Sequence, residues 1–389
     1  MRLQLMAVFL LAGFWGAYAQ GDPTSLEAGS DPITADFLFN YYQQDGNHAA
    51  VTGGTGTEEL TDLGPTLIVN VPLPNGQSLS ATAGVEVYSS ASTDRIDRVV
   101  SSASSQDVRG YLNLGWTKPY AGGRGSYGLL LGGATEFDYH SFSFGGSWAL
   151  ASENGNSELN LHGVAFFDRI TVIYPSELRG RGDFVNDNQR RTFNLSATFA
   201  QVINTRMQAS LSVEAVLQQG LLSTTFHRVY FQNTFLPGVE QLPDKRLKIP
   251  AAIRLNTYLS ERAVLRLYYR YYYDDFGITS STANVEIPFR LTQSLTVSPF
   301  YRYYKQTAAD YFKPYNMHTG DETFYTSDYD LSAFDSNKYG FGIKYYPLSP
   351  IARLERLSLK SLEFRISSYD RSDGLSSYAG SVGLSFAIY

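Results

Sequence analysis

The chain has 389 residues, no cysteine, a formal net charge of −6 and only 17% charged side chains, yet it carries 29 Tyr, 24 Phe and 34 Gly. The mild acidity argues against a nucleic-acid partner, and the lack of Cys fits an exported protein that folds without disulfides. Beyond its first residues no apolar window is long enough for a transmembrane helix, so any crossing of a bilayer falls to strands.

Met1-Arg2, an apolar run from Leu3 to Trp15 and the small-residue site Ala17-Tyr18-Ala19 read as a secretory signal peptide, 1–19, cleaved before Gln20. No Cys follows the run, which excludes a lipoprotein. Residues 20–32 are a short polar periplasmic lead, and 33–389 form the folded domain. Strands are predicted over 33–42, 66–73, 78–90, 108–117, 127–138, 141–151, 158–169, 192–202, 206–218 and 245–258. The stretch 262–305 supplies three more, and 338–346, 357–369 and 376–389 complete the set. A further short strand is predicted near 227–231.

The pattern within these segments is alternation. Leu79, Ala81, Ala83, Val85 and Val87 oppose Ser80, Thr82, Gly84, Glu86 and Tyr88. Leu265, Leu267, Tyr269, Tyr271 and Tyr273 oppose Arg266, Tyr268, Arg270 and Tyr272. A strand sends alternate side chains to opposite faces. An apolar face ending in tyrosines is what a membrane barrel turns to lipid, so Tyr271, Tyr273, Tyr301 and Tyr303 are expected at the outer interface. Connections alternate as well. Short ones lie at Asn75, Asn154, Asn204, Ser260 and Gln293, and long ones at 43–62, 91–106, 171–190, 219–244 and 307–337. Short connections at Tyr139-His140, Gly277-Ile278 and Asp373-Gly374 fall on the long-loop side. The expectation is all-β: a single antiparallel transmembrane β-barrel of about sixteen strands (range roughly 14–18), with short periplasmic turns and longer outer loops. The last strand ends in an aromatic, although Tyr389 is one residue out of step with its apolar face of Tyr378, Val382, Leu384, Phe386 and Ile388.

The stretches YYQQDGNHAAVTGGTGTEELTD, GVEVYSSASTDRID with SSASSQD, EFDYHS, YRYYKQTAADYF and FYTSDYDLSAF, spread over 41–334, resemble a bacterial family known as domain of unknown function 3570. The resemblance implies an outer-membrane β-barrel. It carries over no activity and no site.

With the apolar faces outward, Arg254, Arg266, Arg270, Arg290, Arg302, Lys344 and Arg365 point into the lumen from the later strands. Glu86, Glu136, Glu158 and Glu214 point in from the earlier ones. Opposed charged walls favour a diffusion pore with charge selectivity. The same arginines also have local partners to hand in Asp274, Glu286 and Glu363, and both readings hold together. Glu136, Asp138 and His140, two residues apart along one predicted strand, form a polar cluster able to hold a metal or relay protons, against the plainer reading of a polar hairpin tip. A rim enzyme would use His140 or His162 with one of many serines, but no G-x-S-x-G motif is present. The aromatic and acidic loop between Tyr311 and Asp335 suits sugar stacking or a fold over the mouth. Gly53–Glu58 looks like a phosphate loop without its lysine, hence a tight loop tip.

These readings lead to a porin-like passive channel in the cell outer membrane for small hydrophilic solutes, anionic ones among them. The alternative is a non-conducting barrel acting as receptor or scaffold, and a rim enzyme comes third. No cofactor or resident metal is expected. The expected partners are outer-membrane lipid and the barrel-assembly machinery, with homo-oligomerisation left open, as porins are often trimers.

Overall fold

The computed structural model describes residues 31–89 and 107–389; the predicted signal peptide, most of the lead and the outer loop at 91–106 lie outside them. Pro32–Tyr389 form one compact unit. Its sheet has eighteen ladder segments; Phe289–Arg290 merely continues one strand past a proline and Ala352–Leu354 is a short flap, which leaves sixteen barrel strands. In chain order these are β1 (Ile33–Asp45), β2 (Leu60–Pro72), β3 (Ser78–Tyr88), β4 (Asp107–Tyr120), β5 (Gly125–Thr135), β6 (Tyr139–Ala151), β7 (Ser157–Ile170) and β8 (Gln189–Asn204). There follow β9 (Met207–Gly220), β10 (Lys245–Tyr258), β11 (Val264–Asp274), β12 (Thr279–Glu286), β13 (Leu295–Gln306), β14 (Phe334–Tyr345), β15 (Leu357–Arg371) and β16 (Ser376–Ile388).

Every neighbour in sequence is a neighbour in the sheet, all pairs are antiparallel, and β1 closes the ring on β16 from Ile33↔Ile388 to Asp45↔Ser376. Closure leaves no edge strand, so the ladder satisfies the backbone amides and carbonyls around the whole ring, as hydrocarbon demands. The outward face is apolar and accessible: Phe37, Phe39, Leu67, Leu79, Leu112, Leu114, Leu129, Leu131, Phe142, Phe144, Leu195 and Ile253 are all exposed large hydrophobics. In a soluble protein such a continuous belt would be an aggregation surface; around a closed antiparallel ring it is a lipid-facing band. Tyr271, Tyr273, Tyr301 and Tyr303 lie on that outward face, each more than a third exposed.

Turns at one end are short. Pro74–Gly76 is the clearest case: Asn75 and Gly76 adopt φ of 62° and 70°, the left-handed pair that a tight hairpin needs. Connections at the opposite, outer end are long after β1, β7, β9 and β13.

Among the boundaries that differ from the pattern in the sequence, three have a clear local cause or consequence. β2 begins at Leu60 rather than near 66, because Gly64-Pro65 does not end the strand. Pro65 lacks an N–H and the ladder to β3 skips between Leu63 and Thr66, but pairing with β1 runs through it without a break. The hairpin of β5 and β6 turns at 136–138, so His140 belongs to β6. The last strand stops at Ile388; the Tyr389 amide donates to the Arg356 carbonyl and its hydroxyl accepts from Lys360.

Adjacent Asn113 and Leu114 sit mid-strand on opposite faces of β4. Leu114→Arg is expected to cost about 2–4 kcal/mol and Asn113→Arg far less, because only the first places charge against lipid near the bilayer midplane. Equilibrium unfolding of the two variants in lipid vesicles checks this, and equal losses would place β4 in another orientation.

Candidate functional site

The inward face is polar and its charges are unevenly placed around the ring. From β10 to β15 it carries Lys248, Arg254, Arg266, Arg270, Arg302, Lys338, Lys344 and Arg365, with Arg290 on the extension of β12, against Glu286 and Glu363. Glu286 is shared: Arg266 Nη1 and Arg365 Nη2 each lie 3.3 Å from one of its oxygens. Glu363 receives Arg365 at 3.6 Å and Lys344 at 3.7 Å. Arg302 reaches Asn284, and the Arg254 guanidinium lies over the Tyr268 ring, 5.6 Å from its centroid. Among the described residues Arg254, Arg270, Arg290 and Lys338 form no ion pair within 4 Å. This wall therefore carries more cation than its two glutamates neutralise.

The facing wall is acidic. Glu86 pairs with Arg109 at 3.0 Å and Asp168 with Arg190 at 2.9 Å, while Glu158 and Glu214 have no ion pair among the described residues.

Inward charges are also sorted by depth. At the outer ends of the strands Asp62, Asp107, Asp168, Arg246 and Asp274 are buried, Asp274 fully. Arg246 Nε donates to Asp274 at 2.9 Å, and the same carboxylate accepts from Tyr272 and from the amides of Phe276 and Ile278, closing the β11–β12 turn. On the periplasmic half Glu158, Arg254, Arg266, Arg290 and Lys344 are exposed. The lumen is thus open to solvent from the turn end and filled at the loop end.

The filling is a cap made by four outer loops. Arg228, in the loop after β9, is 2% exposed; it grips Glu177 of the loop after β7 at 2.6 and 2.9 Å and the Val51 carbonyl of the loop after β1 at 2.6 Å. The loops after β1 and β9 leave the ring eight places apart in sixteen, on opposite sides, so this contact spans the mouth. The loop after β13 joins it: Gln241 and Tyr325 exchange backbone bonds of 3.1 and 2.7 Å, and the Tyr329 ring stacks on His48 at 3.7 Å. Arg371 on β15 anchors this loop through Asp330 at 2.6 Å. Gly53 has φ of 82°, and an added Cβ would meet the Tyr230 ring at 2.6 Å; in the tight tip Gly53–Glu58, Gly53, Gly54 and Glu58 are buried in the cap while Thr55 and Gly56 are exposed. The Arg228 guanidinium holds the Glu177 carboxyl at about 2, well below its ordinary value of 4.5.

The expected cluster of Glu136, Asp138 and His140 does not assemble. The turn between β5 and β6 breaks the strand parity on which it depended. His140 faces outward beside Phe142, its Nδ1 2.9 Å from Thr135 Oγ1. Asp107, from the start of β4, takes its place beside Glu136 and Asp138, all three buried and with carboxylate oxygens within 4.8 Å of one another. Burial first, then Asp138 and Glu86, push the Glu136 carboxyl up to about 7. His162 faces the lumen from β7 and bonds to no serine or carboxylate among the described residues. Lys338 obeys the same parity but stands at the very start of the alternation visible in the sequence, where the strand in fact begins four residues earlier at Phe334. The cap contacts had no sequence signal.

The family model described as "Protein of unknown function (DUF3570)" matches residues 60–373. The chain matches no curated protein. Similar solved structures include a bacterial polysaccharide outer membrane secretin (9% identity, 93% of this chain and 100% of that one, TM-score 0.48). Two others are OccAB3 of Acinetobacter baumannii (9%, 92% and 99%, 0.43) and the Pseudomonas putida toluene transporter TodX (10%, 95% and 92%, 0.40).

Arg228→Ala removes the ties to Glu177 and to Val51. Losing one partner of a buried pair costs about 3–5 kcal/mol, so chymotryptic cleavage within 221–244 and 307–333 should rise at least about tenfold while the folded barrel still migrates as a heat-modifiable band. Unchanged cleavage would mean the cap does not depend on Arg228. Acid should act on the same tie. Glu177 has a depressed folded value, so its contribution is full above about 4.5 and is lost as pH falls towards about 2. Wild-type cleavage by an acid-active protease should climb across that interval, and the climb should be absent in Glu177→Gln.

Proposed function

We propose that this chain, which belongs to the DUF3570 family of proteins of unknown function, is an outer-membrane barrel that passes small hydrophilic solutes by diffusion and favours anions. The observation that carries this reading is the accessible, incompletely neutralised cationic wall of β10 to β15. Sixteen strands enclose an aqueous lumen unless something fills it, and here the periplasmic half is solvent-accessible. Against a low-dielectric wall the excess charge of Arg254, Arg270, Arg290 and Lys338 raises the local anion concentration. Glu158 and Glu214 on the facing wall turn the field across the channel, so an anion would track one side. Charge, solvent and diffusion supply everything this role needs; no cofactor takes part.

The cap favours a second reading. Loops tied across the mouth suit a non-conducting barrel whose outer surface serves as receptor or scaffold. In the channel reading the same cap is a constriction that limits solute size. Neither reading gives His140 or His162 a catalytic part.

Planar bilayers separate the two. The channel should give stable single-channel steps with a reversal potential in a salt gradient that reports anion preference. Arg254→Ala with Arg270→Ala should move that potential towards zero or past it, and Arg228→Ala should raise the conductance. Silence from folded wild-type protein and from folded Arg228→Ala alike would sink the channel reading and favour the receptor or scaffold.

A further inference from the structure

The interior of the cap holds a group of side chains that the channel reading leaves unused. His227 and Glu240 flank a two-residue hairpin in which Arg228 pairs with Val239 and Val229 with Gly238, so they face each other across it although thirteen positions separate them in the chain. Asp328 comes from the other large loop, where it caps the short 3-10 turn Tyr329–Leu331. All three are buried, with 7%, 3% and 7% of their surfaces exposed. His227 Nδ1 lies 3.7 Å from Glu240 Oε1 and 3.7 Å from Asp328 Oδ2, and it has no hydrogen-bond partner.

These distances are too long for a proton to bridge, since N–H···O bonds close near 2.9 Å. They suit a larger charge. Ligand atoms 3.7 Å apart on a tetrahedron lie about 2.3 Å from its centre, close to the roughly 2.0–2.2 Å that zinc takes to imidazole nitrogen and carboxylate oxygen. The carboxylates are already held in place. Glu240 Oε2 accepts from the Thr224 amide at 2.6 Å, and Thr326 Oγ1 donates to one lone pair of Glu240 Oε1, leaving the other lone pair of that oxygen for a ligand. Asp328 Oδ1 accepts from the Asp330 amide at 2.9 Å. Such outer contacts orient metal ligands before the ion arrives. They leave His227 Nδ1, Glu240 Oε1 and Asp328 Oδ2 turned towards one point, with two carboxylates to balance a divalent charge.

We infer that His227, Glu240 and Asp328 form a binding site for a divalent transition-metal cation of the zinc type, which joins the loop after β9 to the loop after β13 inside the cap. The nitrogen donor favours zinc-like ions over calcium or magnesium. The site stands whether or not the barrel conducts.

The test uses the full barrel, refolded in detergent and stripped with chelator, with zinc as the probe. Titration calorimetry and metal analysis should give one zinc per barrel lost in His227→Ala, and at least about tenfold weaker binding in Glu240→Gln and Asp328→Asn, no less than outer-contact changes typically cost. His140→Ala should bind as wild type does. Zinc should also slow chymotryptic cleavage of 221–244 and 307–333 in wild-type protein but not in His227→Ala, with the heat-modifiable band confirming a folded barrel in every case. No stoichiometric binding by wild-type protein overturns the inference. So does zinc that persists in His227→Ala and is lost in Asp107→Asn, which would assign it to the carboxylates at the β5–β6 turn.

Discussion

The pairing of β1 with β16 is the interaction on which the rest of the structure depends. Until Ile33–Asp45 meets Ser376–Ile388, the sheet has two edges whose amides and carbonyls hydrocarbon cannot satisfy. Once the ring closes, one face of every strand is committed to lipid and the other to the lumen. A single geometric event thereby turns sixteen modest alternations into a belt and a lumen wall. It also sets the ring positions from which the outer loops depart, and so determines which loops face each other.

Charge placement follows from that commitment. A cation on the inward face can hold its charge because water reaches the periplasmic half of the lumen, and Arg254 and Arg266 stay exposed there. Nearer the outer end water is displaced by the cap, and Asp168 and Asp274 there are paired with Arg190 and Arg246. Asp274 collects Arg246, Tyr272 and two backbone amides because an unpaired carboxylate at that depth would be costly. The same side-chain types thus serve different ends along one strand: exposed arginines shape a field, and buried ones hold the cap.

The cap resembles a small soluble core more than a set of barrel loops. Leu331, Val229 and Thr326 are completely buried, and its ties are hydrogen bonds and ion pairs between segments far apart in sequence. Arg228 reaches Val51 across 177 positions. A cap built this way couples opposite sides of the mouth, so a change at one loop is felt by the others. A cation shared by His227, Glu240 and Asp328 would strengthen that coupling at its centre.

The sequence alone determined the membrane barrel. Period-two alternation, the tyrosine-tipped faces and the short-long rhythm of connections are local features, and each survives because one face must meet lipid. It also determined the inward row of Arg254, Arg266, Arg270, Arg302 and Arg365, since parity within a strand needs no knowledge of its neighbours. It misled where parity was carried through a turn: Glu136 and Asp138 lie in the turn at 136–138 and His140 beyond it, so the three do not share a face. Only the tertiary structure decided that Asp107 joins the two acids, that the outer half of the lumen is filled, and that His227, Glu240 and Asp328 converge. Those facts arise from loops that carry no period and whose partners sit across the ring, and nothing in the spacing of the residues records which loop will lie against which.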